Sequence, residues 1–359
     1  MYSFKDDYAE LGHEKVLTDL IKISREQMLG YGKDCVSIQA KELISNRFGL
    51  GNADIHFLAG GTQTNLVFID ATLRKFEAVI APDSGHICVM EAGAIERNGN
   101  KIITAPNCDG KLRVQVIERI CKPSPLHEHM VSPKLVYISQ PTEKGTLYSK
   151  QELVELYETC KKFDLYLYVD GARLGAALAS HNTDIAPEDM AILCDAFYIG
   201  GTKNGSPLGE ALCIINDDLK PHFRKYMKQH GALLAKGALI ASCFKSLFEN
   251  DLFFELATHA NKTARKLCDA LIAHGFSMRV DSPTNQLFPI LPNDKIAELQ
   301  KHFEFYPWET LDNNTSVVRL ICSWATDEAQ VDKFIKMLIT TQQEELTLKP
   351  SDLYSAYIK

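Results

Sequence analysis

The chain has 359 residues, 45% of them hydrophobic and 24% charged, enough apolar material to bury a large core and form one large and one small domain. A net charge of −7 argues against general binding to nucleic acid or to an anionic membrane, and no run approaches the roughly 18 apolar residues of a membrane span. Ten scattered cysteines without a CxxC spacing, and an N-terminus (MYSFKDDYAE) lacking the apolar core of a signal peptide, point to a reducing, cytoplasmic compartment.

In chain order, an N-terminal arm leads into a predicted helix from His13 to Leu29, where Val16, Leu17, Leu20, Ile21 and Met28 recur at helical spacing. In FLAGGTQTNL an apolar stretch meets a small-residue turn and then a helical pattern. Backbone N–H groups of Gly61, Thr62 and Gln63 at such a helix start suit a phosphate, and Thr62 equally suits a simple cap; the two are compatible. The strand-like AVIAP precedes His86. An imidazole there suits stacking on a flat ring and moving protons with its edge, although alone it reads as structural. Cys88 alternates along HICVM as a packing residue rather than a nucleophile. Strands KIITAP and LVYIS follow, with a hairpin-like CDGKL turn between them. His127 and His129, set among Pro123, Pro125 and Pro133, belong to a surface loop rather than to a metal site. Ser149 and Glu152 stand at capping-box spacing before the helix YSKQELVELYETCKKF.

Two segments then carry the chemistry. LYLYVD ends at Asp170 with Arg173 three residues on, and DAFYIGG runs into TKNG, where Lys203 stands among small residues. The stretch between them can supply the crossover helix of a parallel sheet, which puts acid and amine on one sheet edge. Asp170 alone suggests a helix cap or half of an ion pair; Lys203 alone suggests a phosphate loop, but GGTKNG lacks the G-x-x-x-x-G-K-S/T spacing. Together they meet the needs of pyridoxal phosphate (PLP): an amine to hold its aldehyde, and an acid to keep its ring nitrogen protonated so that the ring can accept electrons. After ALCIIN the pattern is helical through LFENDLFFELATHANKTARKLCDALIAHG. Strands FSMRV, NQLFPIL and VVRLICSW and a final helix EAQVDKFIKMLITTQQ with a fraying polar tail complete the chain. The expected division is an arm at 1–14, a PLP-binding domain at 15–245 and a small domain at 246–359.

GYGKD at Gly30, GGTQTN, SGHI with EAGAIE, GNKI, DGKL, SQPTEKGTLYS, DGAR, GGTKNG with PLGEA, and RLICSWATDE follow one another over nearly the whole length. In these motifs the chain resembles the L-threonine aldolase (beta-eliminating lyase) family of fold-type I PLP enzymes. The resemblance implies an α/β fold, with a mostly parallel central sheet flanked by helices and a smaller C-terminal α+β domain. It implies that Lys203 carries the cofactor with Thr202 bonding beside it, that Asp170 meets the pyridine nitrogen, and that His86 stacks on the ring. Gly61, Thr62 and Gln63 become the phosphate cradle. Arg173 and Arg319 become the clamp on the substrate carboxylate, a planar two-pronged donor facing a two-oxygen acceptor. Tyr31 is placed at the edge of the site and Lys236 on a phosphate across a subunit interface, in a homodimer or homotetramer with shared active sites.

Two departures from the family pattern stand out. QPTE replaces an N-T-H-N run, putting Thr142 where other members carry a histidine, and a threonine is no general base near neutrality. Asp6 stands where some members place a serine against the substrate carboxylate, which an acid repels. The implied reaction is retro-aldol cleavage of L-threonine or L-allo-threonine, a small amino-acid substrate, to glycine and acetaldehyde. Beta-elimination or transamination of a small amino acid is the enzymatic alternative. A scaffold that lost its chemistry disagrees with the presence of Lys203, Asp170 and both arginines, and no metal is expected.

Overall fold

The computed structural model describes residues 1–123 and 127–347; Pro125 and the polar tail beyond the last helix lie outside the described residues. After a two-residue strand β1 (Tyr2–Ser3), the chain lays down β2 (Asp54–Leu58), β3 (Glu77–Pro82), β4 (Lys101–Ala105), β5 (Ser132–Ser139), β6 (Tyr166–Asp170), β7 (Ala196–Gly200) and β8 (Glu210–Ile214). These seven, β2 to β8, form one sheet in the order β2-β8-β7-β6-β5-β3-β4, parallel except that β8 runs antiparallel to both its neighbours. Strands β3, β7 and β8 are buried along their whole length, as a sheet covered on both faces requires.

Period-two alternation sorts the inward side chains. Val136, Ile138, Leu167, Val169, Phe197 and Ile199 pack on one face with the helices Cys35–Phe48, Lys150–Lys162 and Ala238–Phe248. Tyr137, Tyr168 and Tyr198 lie on the other face, against the helix Gly61–Thr72. Two residues beyond Tyr137 and Tyr168, at the same strand ends, come Ser139 and Asp170, and these two are in register across β5 and β6. The sheet therefore delivers its polar groups to one edge on the tyrosine face.

Local chemistry sets the connections. Ser149 and Glu152 form the expected capping box, and Asp34 of GYGKD caps the helix Cys35–Phe48 by accepting from Ser37 N–H at 2.7 Å. In CDGKL, Asp109 and Gly110 both take positive φ and Cys108 bridges Lys111. The first helix is shorter than its periodicity predicts, Glu14–Lys22, and Ile23 and Met28 pack against the core from beyond its end.

Beyond the helix Leu252–Ala273 the chain forms β9 (Gln286–Leu287), β10 (Ile290–Pro292), β11 (Phe303–Glu304), β12 (Tyr306–Thr310) and β13 (Thr315–Ile321). Strands β9, β10 and β12 all pair antiparallel with β13. FSMRV is not a strand; only Met278 makes a bridge, to Pro289. Conversely β12, which the sequence did not suggest, is exposed throughout. The N-terminal residues pack against this region. β1 pairs with β11, and Phe4 is fully buried in the C-terminal apolar cluster with Leu267, Leu320 and Phe334.

Candidate active site

Two strand ends build the centre. β6 ends in Asp170 and β7 in Gly200, and Gly200 N–H donates to Gly171 O at 2.9 Å, tying the DGAR and GGTKNG segments together. The Asp170 carboxylate is buried and accepts three bonds: Tyr137 Oη–H at 2.7 Å and Asn65 Nδ2–H at 3.1 Å on one oxygen, Ala172 N–H at 3.0 Å on the other. A carboxylate has about four acceptor sites, so one remains. Lys203 follows β7 by three residues and makes no hydrogen bond or ion pair with the described residues. Burial and the like charge of Arg173 hold its amine below the usual range, against the pull of Asp7, Asp170 and Glu210. Thr202 spends its hydroxyl proton on Glu210 Oε1 at 2.9 Å, and Gly201 N–H donates to Glu210 Oε2 at 2.9 Å. Burial pushes that carboxyl up to about 7.

His86 opens a short helical turn after β3 and is partly exposed. Its Nδ1 lies 2.8 Å from Glu91 Oε1, which also accepts from Asn65 Nδ2 at 2.7 Å. Its backbone N–H donates to Glu143 Oε1 at 2.9 Å, and Ser139 Oγ donates to the same oxygen at 2.6 Å. Asn65 thus links the His86–Glu91 pair to Asp170. Burial pushes the Glu143 carboxyl up, and its Oε2 is buried without a partner. Burial likewise pushes Tyr137, Tyr168 and Tyr198 up, which keeps them neutral beneath the site. Cys88 donates to Pro82 O at 3.3 Å, and burial raises its thiol to about 12, so no thiolate forms there.

At the start of the helix Gly61–Thr72 the backbone N–H groups of Gly61, Thr62 and Gln63 donate to nothing among the described residues, and a Cβ on Gly60 would meet nothing within 4 Å. Gln63 turns its side-chain oxygen back to accept from Ala59 N–H at 3.0 Å. Thr62 makes no side-chain cap.

The arginines differ. Arg173 is closed by Asp7 in a two-pronged pair, Nε to Oδ2 at 2.6 Å and Nη2 to Oδ1 at 3.0 Å, with Asn285 Nδ2 donating to Asp7 at 2.9 Å. Among the described residues the polar partners of Arg319, on β13, are Asp6 Oδ1, 3.6 Å from Nη2, and Lys5 O at 3.4 Å. Thr142 is turned away: its hydroxyl bonds Thr146 Oγ1 at 2.7 Å and packs on Gly110. Tyr31 and Lys236 form a separate exposed patch, where Tyr31 N–H donates to Ala235 O at 3.0 Å and Lys228 lies over the Tyr31 ring. A cleft of about 560 Å³ between Asp109–Gln115, Thr146–Leu156 and Asp281 contains none of the expected site residues. Among the described residues no group of three or more His, Cys, Asp or Glu side chains is placed to hold a metal.

Residues 14–291 match the family described as Beta-eliminating lyase. The chain is 30% identical over 318 residues to a low specificity L-threonine aldolase of Pseudomonas aeruginosa, covering 87% of this chain and 90% of that one. It is similar to a Leishmania major threonine aldolase structure with 48% identity and a TM-score of 0.92, over 95% of this chain and 99% of that one. A Sphingomonas wittichii serine palmitoyltransferase shares the fold-type I arrangement alone, at 14% identity and a TM-score of 0.71 over 95% and 87% of the two chains. An acid and an unpaired lysine at neighbouring strand ends, and a sequence match that runs through both, lead to one assignment: the chain belongs to the beta-eliminating lyase family.

Proposed function

We propose that the chain is a PLP-dependent aldolase that cleaves L-threonine or L-allo-threonine to glycine and acetaldehyde. The observation that carries this reading is the placement at neighbouring strand ends of Asp170, buried and bonded, and Lys203, an amine without a hydrogen-bond partner among the described residues and held below its usual range. The neighbouring groups fit the cofactor. The three unclaimed N–H groups of Gly61, Thr62 and Gln63 suit a phosphate, and Asp170 keeps one acceptor site for a ring N–H.

In this reading Lys203 carries the cofactor, Asp170 holds the proton at its ring nitrogen, and His86 lies against the ring. The bound cofactor supplies an electron sink for the pair released when the bond between the α and β carbons breaks. The chain's own part is orientation and proton handling. Arg319 takes the substrate carboxylate, which fixes which bond of the α carbon is presented. Glu91 keeps a proton on His86 Nδ1, leaving Nε2 to accept the β-hydroxyl proton that Thr142, occupied by Thr146, has no means to take. Thr202 is tied to Glu210 and stiffens the lysine loop.

The patch of Tyr31 and Lys236 belongs to the same reading: a homodimer, or a tetramer built of two, in which these residues serve the partner's site. Ten unpaired cysteines favour a reducing, cytoplasmic compartment, and no helix among the described residues is long and apolar enough to cross a membrane.

Purified protein given PLP is expected to absorb in the visible, to lose that band on Lys203→Ala, and to release glycine and acetaldehyde from L-threonine or L-allo-threonine. Pyruvate or 2-oxobutyrate would favour the elimination or transamination alternative. A colourless protein indifferent to added PLP overturns the reading.

A further inference from the structure

Two consecutive acids of the arm reach the two arginines of the site, and they do so unequally. Phe4 is pinned, its N–H donating to Glu304 O at 2.7 Å and its carbonyl accepting from Ile321 N–H at 2.8 Å, so the residues after it are delivered to one place. Asp7 takes the Nε–Nη2 edge of Arg173 with two short bonds, and Asn285 donates to Asp7 as well. Asp6 stops at 3.6 Å from Arg319 Nη2, beyond hydrogen-bond distance. Asp6 Oδ1 and Arg319 Nε are both buried without a hydrogen-bond partner. The guanidinium sits 4.9 Å from the Trp308 ring centre and 5.5 Å from that of Tyr306, walls that hold its plane without consuming its N–H groups. Burial, together with the neighbouring Asp6 carboxylate, holds the Tyr8 phenol up at about 12.

We propose that Asp6 is a displaceable internal carboxylate on Arg319 that sets how tightly the substrate carboxylate binds, while Asp7 holds the Nε–Nη2 edge of Arg173. This rests on the assignment of Arg319 to the substrate carboxylate made above. An incoming carboxylate makes direct charge-assisted bonds to Nε and Nη2 of Arg319, contacts that Asp6 at its present distance does not make. Asp6 is then displaced from Arg319. Its negative charge stays close by, and affinity is lower than an uncharged residue at position 6 allows. Arg173, closed by Asp7, acts as a positioning residue that joins the arm to the DGAR segment.

The test uses two ligands. Trp308 is one of only two tryptophans and lies beside Arg319, so its fluorescence reports formate binding to the cofactor-free protein. Glycine binding to the PLP-loaded protein is read from visible absorbance. Asp6→Asn and Asp6→Ser are expected to bind both about twofold to fivefold more tightly than the unaltered chain, the scale of one partly screened charge contact. Asp6→Glu, which keeps the charge, is expected to bind as weakly as the unaltered chain, and any gain in kcat/KM for the uncharged variants is expected to come through KM. Unchanged or weaker binding in both uncharged variants overturns the proposal, as does Asp6→Glu behaving like Asp6→Asn. Failure of the protein to take up PLP would sink the functional reading, and the formate titration would still judge Asp6.

Discussion

Glu91 holds one oxygen between two donors, His86 Nδ1 and Asn65 Nδ2, and its other oxygen is buried without a partner. That geometry fixes which nitrogen of His86 carries a proton, and with it which nitrogen is free to accept one. Glutamine in its place keeps an oxygen but loses the charge and adds a competing donor. Glu91→Gln is therefore expected to lower kcat by about tenfold to a hundredfold, the usual cost of losing a group that orients a reactive side chain, while the visible band of bound PLP persists. Wild-type kcat in that variant would remove Glu91 from the mechanism. The same scale explains what the sequence could not display. Asn65 lies 105 positions from Asp170, Asp7 lies 166 from Arg173, and Asn285 lies 278 from Asp7. Each is an ordinary polar residue until folding closes the gap. Glu143 sits one position after the threonine that drew attention, yet it is Glu143 that touches His86 and Ser139.

Strand ends were the most legible part of the chain. Continuous apolar runs closing on Asp170 and Gly200 required two buried parallel strands, and alternation alone puts Tyr168 and Asp170 on one face. Their spacing depends on glycine. A Cβ on Gly171 would stand 1.9 Å from the carbonyl oxygen of Tyr198, a backbone atom that has no room to yield, because the ends of β6 and β7 approach each other there. Gly171→Ala is expected to cost about 3 kcal/mol or more, read in urea unfolding of the cofactor-free protein. Gly60→Ala is the control: its φ is −174° and its Cβ would meet nothing within 4 Å, so its midpoint should match the unaltered chain. Equal midpoints for the two variants would refute the close approach. Elements without such a constraint were poorly legible. β12 is exposed along its length and shows no alternation, and the first helix stops short of its periodicity, with Ile23 and Met28 packed against the core from beyond its end.

At the scale of the whole molecule, three parts of the chain meet at one buried ion pair. Asp7 comes from the arm, Arg173 from the central sheet and Asn285 from the C-terminal region, and the Asp7 side chain is fully enclosed. Replacing Asp7 by Asn leaves a buried guanidinium uncompensated, a loss of about 3–5 kcal/mol near neutrality. The pH dependence has a definite sign. Burial acts to raise the Asp7 carboxyl, but the charges of Arg173 and Lys203 and the bonds from Arg173 and Asn285 outweigh it and hold the group below its ordinary 3.8. A native carboxyl more acidic than the unfolded one binds fewer protons in the folded state. Its stabilisation is complete above the unfolded value and drains away as pH falls through the native one. The urea midpoints of the unaltered chain and of Asp7→Asn should therefore stand far apart at pH 7 and converge as the medium is acidified below about 4. A gap that is constant with pH would mean that Asp7 acts without its charge, and no gap at pH 7 would mean that the arm is held by Phe4 and its strand pairing alone.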